Sequence, residues 1–202
     1  MVDDPTIDEL TALLADLRSG SPDAVTRVHG LTVDLLEAIA RGIVGDNATA
    51  QDVVQEVFLR LIASRQRLRA TDGRELRAWL VTVTRNACRD ELRRRSRHHE
   101  DPVADVPETP DPDQDPASAA DQFNEDLRAG LARLPEPQRA VLVLRHVAGL
   151  DGRELGRALG RSRGAAYALL ARAERSLRST LAEPSNPDVA SRHQSEGLGD
   201  PA

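Results

Sequence analysis

The chain has 202 residues with 27 basic and 33 acidic side chains, a formal charge of −6, and four aromatic residues. That length allows one domain or two small ones, and with so few rings the cores must be built from Leu, Val and Ala, which favours small helical bundles. A single cysteine, Cys88, excludes an intrachain disulfide, and with no long apolar run and no signal peptide the expectation is a soluble, cytoplasmic, all-α protein.

Residues 1–5 are expected to be loose. Thr6 or Asp8 can cap a helix that runs through Arg18, with Ile7, Leu10, Leu13, Leu14 and Leu17 on one side. Ser19–Asp23 breaks it. A second helix is predicted over 22–44, with Gly30 and Gly42 as points where it bends or splits. Gly45-Asp46-Asn47 ends it. In the next helix Val53, Val54, Val57, Phe58 and Leu61 fall on one stripe, leaving Asp52, Gln55, Glu56 and Arg60 on other faces. A turn at Thr71-Asp72-Gly73 leads into a helix with two stripes. Leu76, Trp79, Leu80, Val83 and Ala87 form the apolar one; Thr82, Arg85, Asn86, Arg89 and Arg93 form the other, roughly 120° away. Cys88 is expected to be partly buried in this helix. Leu80–Thr84 is rich in β-branched residues and could pass for a strand, but its Ala-, Arg- and Glu-rich flanks favour helix.

The stretch 98–123 reads as an acidic, Pro-rich linker. From Glu100 to Asp126 there are ten acidic residues and no basic one, with Arg-rich helices on either side. It is a plain spacer or, more sharply, a mimic of phosphate that follows an anionic groove or shields the Arg-rich faces. The second domain is placed at 124–182, after a first at 1–97. Leu127, Leu131 and Leu134 begin it. A helix from Pro137 carries Val141, Leu142, Leu144 and Val147 and stops at Gly149. A short helix over 152–159, a tight turn at Gly160-Arg161-Ser162 and a final helix from Arg163 to Leu181 follow, with Ser162 as N-cap. Ala166, Leu170, Ala173 and Leu177 face inward. The pair has the pattern of a helix-turn-helix. The tail 183–202 is polar and expected to be disordered.

No catalytic constellation, glycine-rich phosphate loop or metal-ligand spacing is present, and no cofactor is expected. The five histidines are scattered. What remains are binding surfaces. Arg85, Asn86, Arg89 and Arg93, extended by Arg94, Arg95 and Arg97, read either as a solvated helix end or as a stripe suited to phosphates and one base edge. Arg161, Ser162, Arg163 and Arg172 would meet phosphate or base edges from the helix-turn-helix. The Asp52/Gln55/Glu56 face suits a protein better than DNA. Every fixed cation is Arg, since the chain has no Lys, and Arg grips phosphate in a bidentate fork.

AQDVVQEVFLRL (50–61), WLVTVTRNACRDELRRR (79–95) and the segment 134–178 resemble the bacterial extracytoplasmic-function sigma factors, in that family's order and with a linker between. The resemblance implies a sigma subunit that binds core RNA polymerase, recognises the −35 and −10 promoter elements and promotes DNA opening, without enzymatic activity. It assigns Asp52, Gln55, Glu56 and Arg60 to the clamp helices of the largest polymerase subunit. Arg69, Arg74, Arg85, Asn86, Arg89, Arg93 and Arg94 fall to the −10 strand, with 69–74 as the base-capturing loop. Arg161, Ser162, Arg163, Tyr167 and Arg172 fall to the −35 element, in a domain that also touches the polymerase flap. The linker would run through the active-site and RNA-exit channels. An anti-sigma partner is possible, and no membrane is involved.

Two departures stand out. Ala165-Ala166-Tyr167-Ala168-Leu169 occupies the place where the family usually shows Thr-Val-Lys-Ser-Arg, so polar base-reading groups are mostly missing. Gln51 replaces the commoner Glu. Two other functions compete: a free-standing helix-turn-helix regulator binding duplex DNA as a dimer, and a helical scaffold or anti-factor acting only through proteins.

Overall fold

The computed structural model describes residues 5–98 and 119–182, and every regular element in them is helical. The elements are α1 (Pro5–Ala12), α2 (Leu14–Ser19), α3 (Pro22–Val44), α4 (Asn47–Ser64), α5 (Gly73–His98), α6 (Ala119–Ala132), α7 (Glu136–His146), α8 (Gly152–Leu159) and α9 (Arg163–Ala182). A short 3-10 turn, Arg65–Arg67, follows α4. Most of the acidic stretch and the 183–202 tail lie outside the described residues. Helix α6 begins at Ala119, ahead of the Asn124 expected from sequence.

Local signals set most boundaries. Ser21 caps α3 by accepting from the Ala24 amide at 3.4 Å, and Asp46 caps α4 by accepting from Thr49 N–H at 2.8 Å. Helix α3 runs unbroken through Gly30 and Gly42, where a bend or split was expected. Val28, Leu36, Ile39, Ala40 and Ile43 are buried along its length, and that packing outweighs the weak propensity of two glycines. The single helix expected to reach Arg18 is instead interrupted at Leu13, giving α1 and α2. Leu80–Thr84 is helical, as its flanks suggested.

Helices α1–α5 pack around Leu10, Leu17, Leu36, Ile39, Leu61, Leu76 and Leu80, all at or near zero exposure. Each such side chain contributes roughly 1.5–3 kcal/mol relative to an exposed one. Gly73 opens α5 where α1 crosses it: a Cβ there would sit 2.1 Å from the Ile7 carbonyl oxygen, so no larger residue fits. Helices α6–α9 pack around Leu144, Leu155, Ala166 and Ala173.

The two bundles share one buried core. Helix α7 packs against α9 of its own bundle and also against α3 and α5 of the other. Five consecutive residues, Ala140–Leu144, are buried in it, because neighbours cover it on more than one side. Val143, outside the expected packing set, lies against Gly42 of α3. Val147, expected to pack, is exposed. Arg77 of α5 donates to the Ala148 carbonyl at 3.1 Å.

Candidate functional site

On α4 the buried stripe of Val53, Val54, Val57, Phe58 and Leu61 is as expected, and it turns Asp52, Gln55 and Glu56 outward. Arg60 Nε donates to Glu56 Oε1 at 2.8 Å, so those two charges are already matched across one helical turn. Beside them runs a groove of about 430 Å³, lined by His29, Val33 and Glu37 of α3 and by Gln55, Phe58, Leu59 and Ile62 of α4. Leu59 is 61% and Ile62 40% exposed. The His29 ring rests on Phe58 with centroids 4.6 Å apart. The sequence held a signal for this groove: in FLRLI, Leu59 and Ile62 fall off the packing stripe and have no interior to go to.

The loop before α5 is tightly tied. Asp72 Oδ1 accepts from Glu75 N–H and Glu75 Oε2 from Thr71 N–H, each at 2.8 Å. Thr11 Oγ1 accepts from Gly73 N–H at 2.7 Å, and Arg18 donates to the Ala70 carbonyl. Leu68 and Ala70 are buried on either side of Arg69, and Arg69 and Arg74 are exposed.

The basic stripe of α5 is not one surface. Arg93 is exposed, while Arg94 holds Glu91 through two bonds of 2.8 and 2.9 Å. Arg95 reaches Glu91 at 3.2 Å and Asp46 at 3.0 Å and also donates to Thr49, so it fastens α5 to the start of α4. Arg89 lies 3.7 Å from Asp90 and is about one-third exposed. Arg85, expected on an open face, is buried, with only 8% of its side chain exposed. Its Nη1 donates to Asn86 Oδ1 at 3.2 Å, and its Nη2 lies 3.5 Å from Glu136 Oε1 on α7. Burial lowers the pKa of this guanidinium; Glu136 opposes the shift, and Arg89, Arg161 and Arg93 add repulsion. Arg85 is covered because the second bundle packs on α5 through α7 and α8, with Glu136 of α7 reaching it. Cys88, expected to be partly buried, is fully buried, and its thiol is pushed up to about 12 by burial.

In the second bundle α8 opens on a capping box, with Asp151 Oδ1 accepting from Glu154 N–H at 2.9 Å and Glu154 Oε2 from Asp151 N–H at 2.8 Å. Gly160 adopts φ +62°, a left-handed conformation that glycine takes without strain, and the chain turns into α9. Ser162 Oγ accepts from Ala165 N–H at 3.2 Å, the N-cap expected from sequence. Arg161, Ser162, Arg163, Tyr167 and Arg172 are all exposed. Tyr167 is packed closely on Gly152 at the start of α8, with the Arg163 guanidinium 5.8 Å from its ring centre.

Two known families match this architecture in order: Sigma-70 region 2 over residues 31–98 and Sigma-70, region 4 over residues 124–177. Among similar proteins, the ECF RNA polymerase sigma factor EcfG of Rhodopseudomonas palustris is 32% identical over 160 residues, covering 77% of this chain and 86% of its own. RNA polymerase sigma factor CarQ of Myxococcus xanthus is 33% identical over 171 residues, covering 82% and 94%. The chain belongs to the extracytoplasmic-function sigma factors. As a sigma factor it is a promoter-recognition subunit of RNA polymerase, which disfavours a free-standing dimeric regulator. Its fold is shared with CnrH, solved in complex with the cytosolic domain of CnrY, at a TM-score of 0.66, with 23% identity and 88% and 100% of the two chains covered. It is also shared with RpoE of Bartonella quintana, solved with the anti-sigma factor NepR, at a TM-score of 0.63, with 22% identity and 79% and 97% covered. No described helix of the sigma factor is long and apolar enough to cross a membrane.

Proposed function

We propose that the sigma factor divides its work among three surfaces and performs no bond chemistry of its own, acting in the cytoplasm. Asp52, Gln55, Glu56 and Arg60, with the adjoining Leu59/Ile62 groove, take the clamp helices of the polymerase. A mixed acidic and apolar face fits a protein partner, since the apolar groove supplies area and the carboxylates supply orientation. Arg69, Arg74, Arg85, Asn86, Arg89, Arg93 and Arg94 belong to the −10 strand. Within that set Arg69, Arg74 and Arg93 have no ion-pair partner among the described residues and are open to phosphate, whereas Arg94 is committed to Glu91 and Arg85 to Glu136. Arg161, Ser162, Arg163, Tyr167 and Arg172 belong to the −35 element. Residues 1–97 and 124–182 are the units that carry these surfaces, joined by the acidic linker.

The observation that carries this division is the helix-turn-helix, whose turn exposes Arg161 and whose N-capped second helix exposes Arg163 and Arg172. Binding energy that is larger for melted than for duplex promoter shifts the opening equilibrium. Asn86→Ala is expected to weaken opening at the start site, read by permanganate footprinting, with core-polymerase capture in a pull-down unchanged. Equal loss in both assays overturns the assignment. RpoE of Bartonella quintana, which shares the fold, was solved with an anti-sigma factor, which supports an anti-sigma partner for this chain as well.

A further inference from the structure

The outer side of α9 is built almost without hydrogen-bonding side chains. Gly164, Tyr167, Ala168 and Ala171 are exposed there, in the N-terminal half of the helix, the half that meets base edges in a helix-turn-helix. At about 100° per residue, Arg163 and Arg172 fall on opposite sides of this strip. Nothing lies within 4 Å of where a Gly164 Cβ would stand, so no internal contact requires that glycine and the strip is open to a close neighbour. Tyr167 is the one large side chain on it, 41% exposed. Its hydroxyl end is turned aside onto α8: a Cβ on Gly152 would sit 2.2 Å from the ring and 2.6 Å from the hydroxyl oxygen. The Arg163 guanidinium lies 5.8 Å from the ring centre. The two contacts fix the ring, so it presents carbon to a partner at little further cost in entropy.

The floor of the major groove offers such a surface one feature to read. Its donors and acceptors need polar partners, whereas the C5-methyl of thymine makes an apolar contact. We propose that Tyr167, with Ala168 beside it, reads the methyl group of a thymine in the −35 element, and that Gly152 is the positioning residue that leaves room for the ring. Arg163 and Arg172, on the two flanks, hold the phosphates of that groove, so affinity comes from arginine and the choice of base from carbon. This rests on α9 meeting the −35 element, as set out above. It gives the sigma factor a preference for a T·A pair without a polar base-reading side chain. A larger residue at position 152 lifts the ring off α8 and loses the methyl contact, while the phosphate contacts stay in place.

Deoxyuridine tests this, because it differs from thymidine only in lacking the methyl. Promoters are first recovered by run-off transcription of genomic fragments with the holoenzyme. The probe is one of them as a fluorescein-labelled duplex, with each thymine of its −35 element, on either strand, replaced in turn by deoxyuridine. Holoenzyme binding is read by anisotropy. Replacement at one position is expected to weaken binding about fourfold, the worth of one buried methyl group. Tyr167→Phe keeps that ratio, since the hydroxyl is not used. Tyr167→Ala and Gly152→Ala each bring the ratio to one, and the two together do no more than either alone. Arg172→Ala weakens both duplexes alike and keeps the ratio. If deoxyuridine is neutral at every −35 thymine, or if the fourfold ratio survives Tyr167→Ala, the methyl reading is overturned. If the ratio survives Gly152→Ala alone, the positioning role of Gly152 is overturned. If scrambling the whole −35 segment leaves binding unchanged, it is the −35 assignment of α9 that fails, and the proposal falls with it.

Discussion

Helices α5 and α9 both carry rows of arginine, yet the molecule treats them in opposite ways. On α9, Arg172 and Arg175 stand in solvent and donate to their own helix, to the Ala168 carbonyl at 3.3 Å and the Ala171 carbonyl at 3.2 Å. On α5, Arg85 is roofed by the other bundle and matched to Glu136. An exposed guanidinium costs little to keep and is ready for phosphate. A buried one must find an anion within the chain, because an uncompensated charge in the interior is expensive. The presence of arginine on a helix therefore states a chemistry, and the surrounding packing decides whether that chemistry is available.

The largest test of this contrast lies in the core. Helix α5 is packed by both bundles, whereas α9 buries one side, so Leu80→Ala is expected to cost about 3 kcal/mol of stability or more and Leu170→Ala less, by denaturant unfolding of the full chain. Equal costs would mean that α5 is not the shared element. Next in size, Ser162→Ala removes the cap of α9 and should lose about 1 kcal/mol, by the same measurement. The smallest effect on stability belongs to Arg172→Ala, which should stay within about 0.5 kcal/mol because the side chain is exposed. It should nevertheless flatten the salt dependence of promoter binding by the holoenzyme, lowering the slope of log K against log salt by about 0.9 for one lost phosphate contact. An unchanged slope would remove Arg172 from the DNA surface.

The helices were legible because their signals are local. Asp46 caps α4 from one residue away, Asp151 and Glu154 close a capping box within one turn, and Ser162 starts α9 where a Gly-Arg-Ser turn demands a cap. The period of Val53, Val54, Val57, Phe58 and Leu61 fixed the inner side of α4, and with it the outward placement of Asp52, Gln55 and Glu56. The helix-turn-helix pattern followed from the spacing of its helices and turn, and the sigma resemblance from three sequence motifs standing in that family's order. The groove of Leu59 and Ile62 was also within reach, since two large apolar residues fell outside the packing stripe.

What the order of residues could not reveal depends on partners far along the chain. Arg85 and Glu136 are separated by the whole acidic stretch, and no periodicity on α5 announces a carboxylate arriving from α7. The exchange of Val143 for Val147 has the same origin: α7 is flanked by α3 as well as by α9, and a helix buried on several sides has no single apolar stripe to read. The unbroken run of α3 past Gly30 and Gly42 was likewise settled by its neighbours. Local hydrogen bonding and side-chain period thus set where each helix starts and which way most of them face. The meeting of the two bundles set which arginines remain free, because desolvation acts on the packed assembly and not on any one helix.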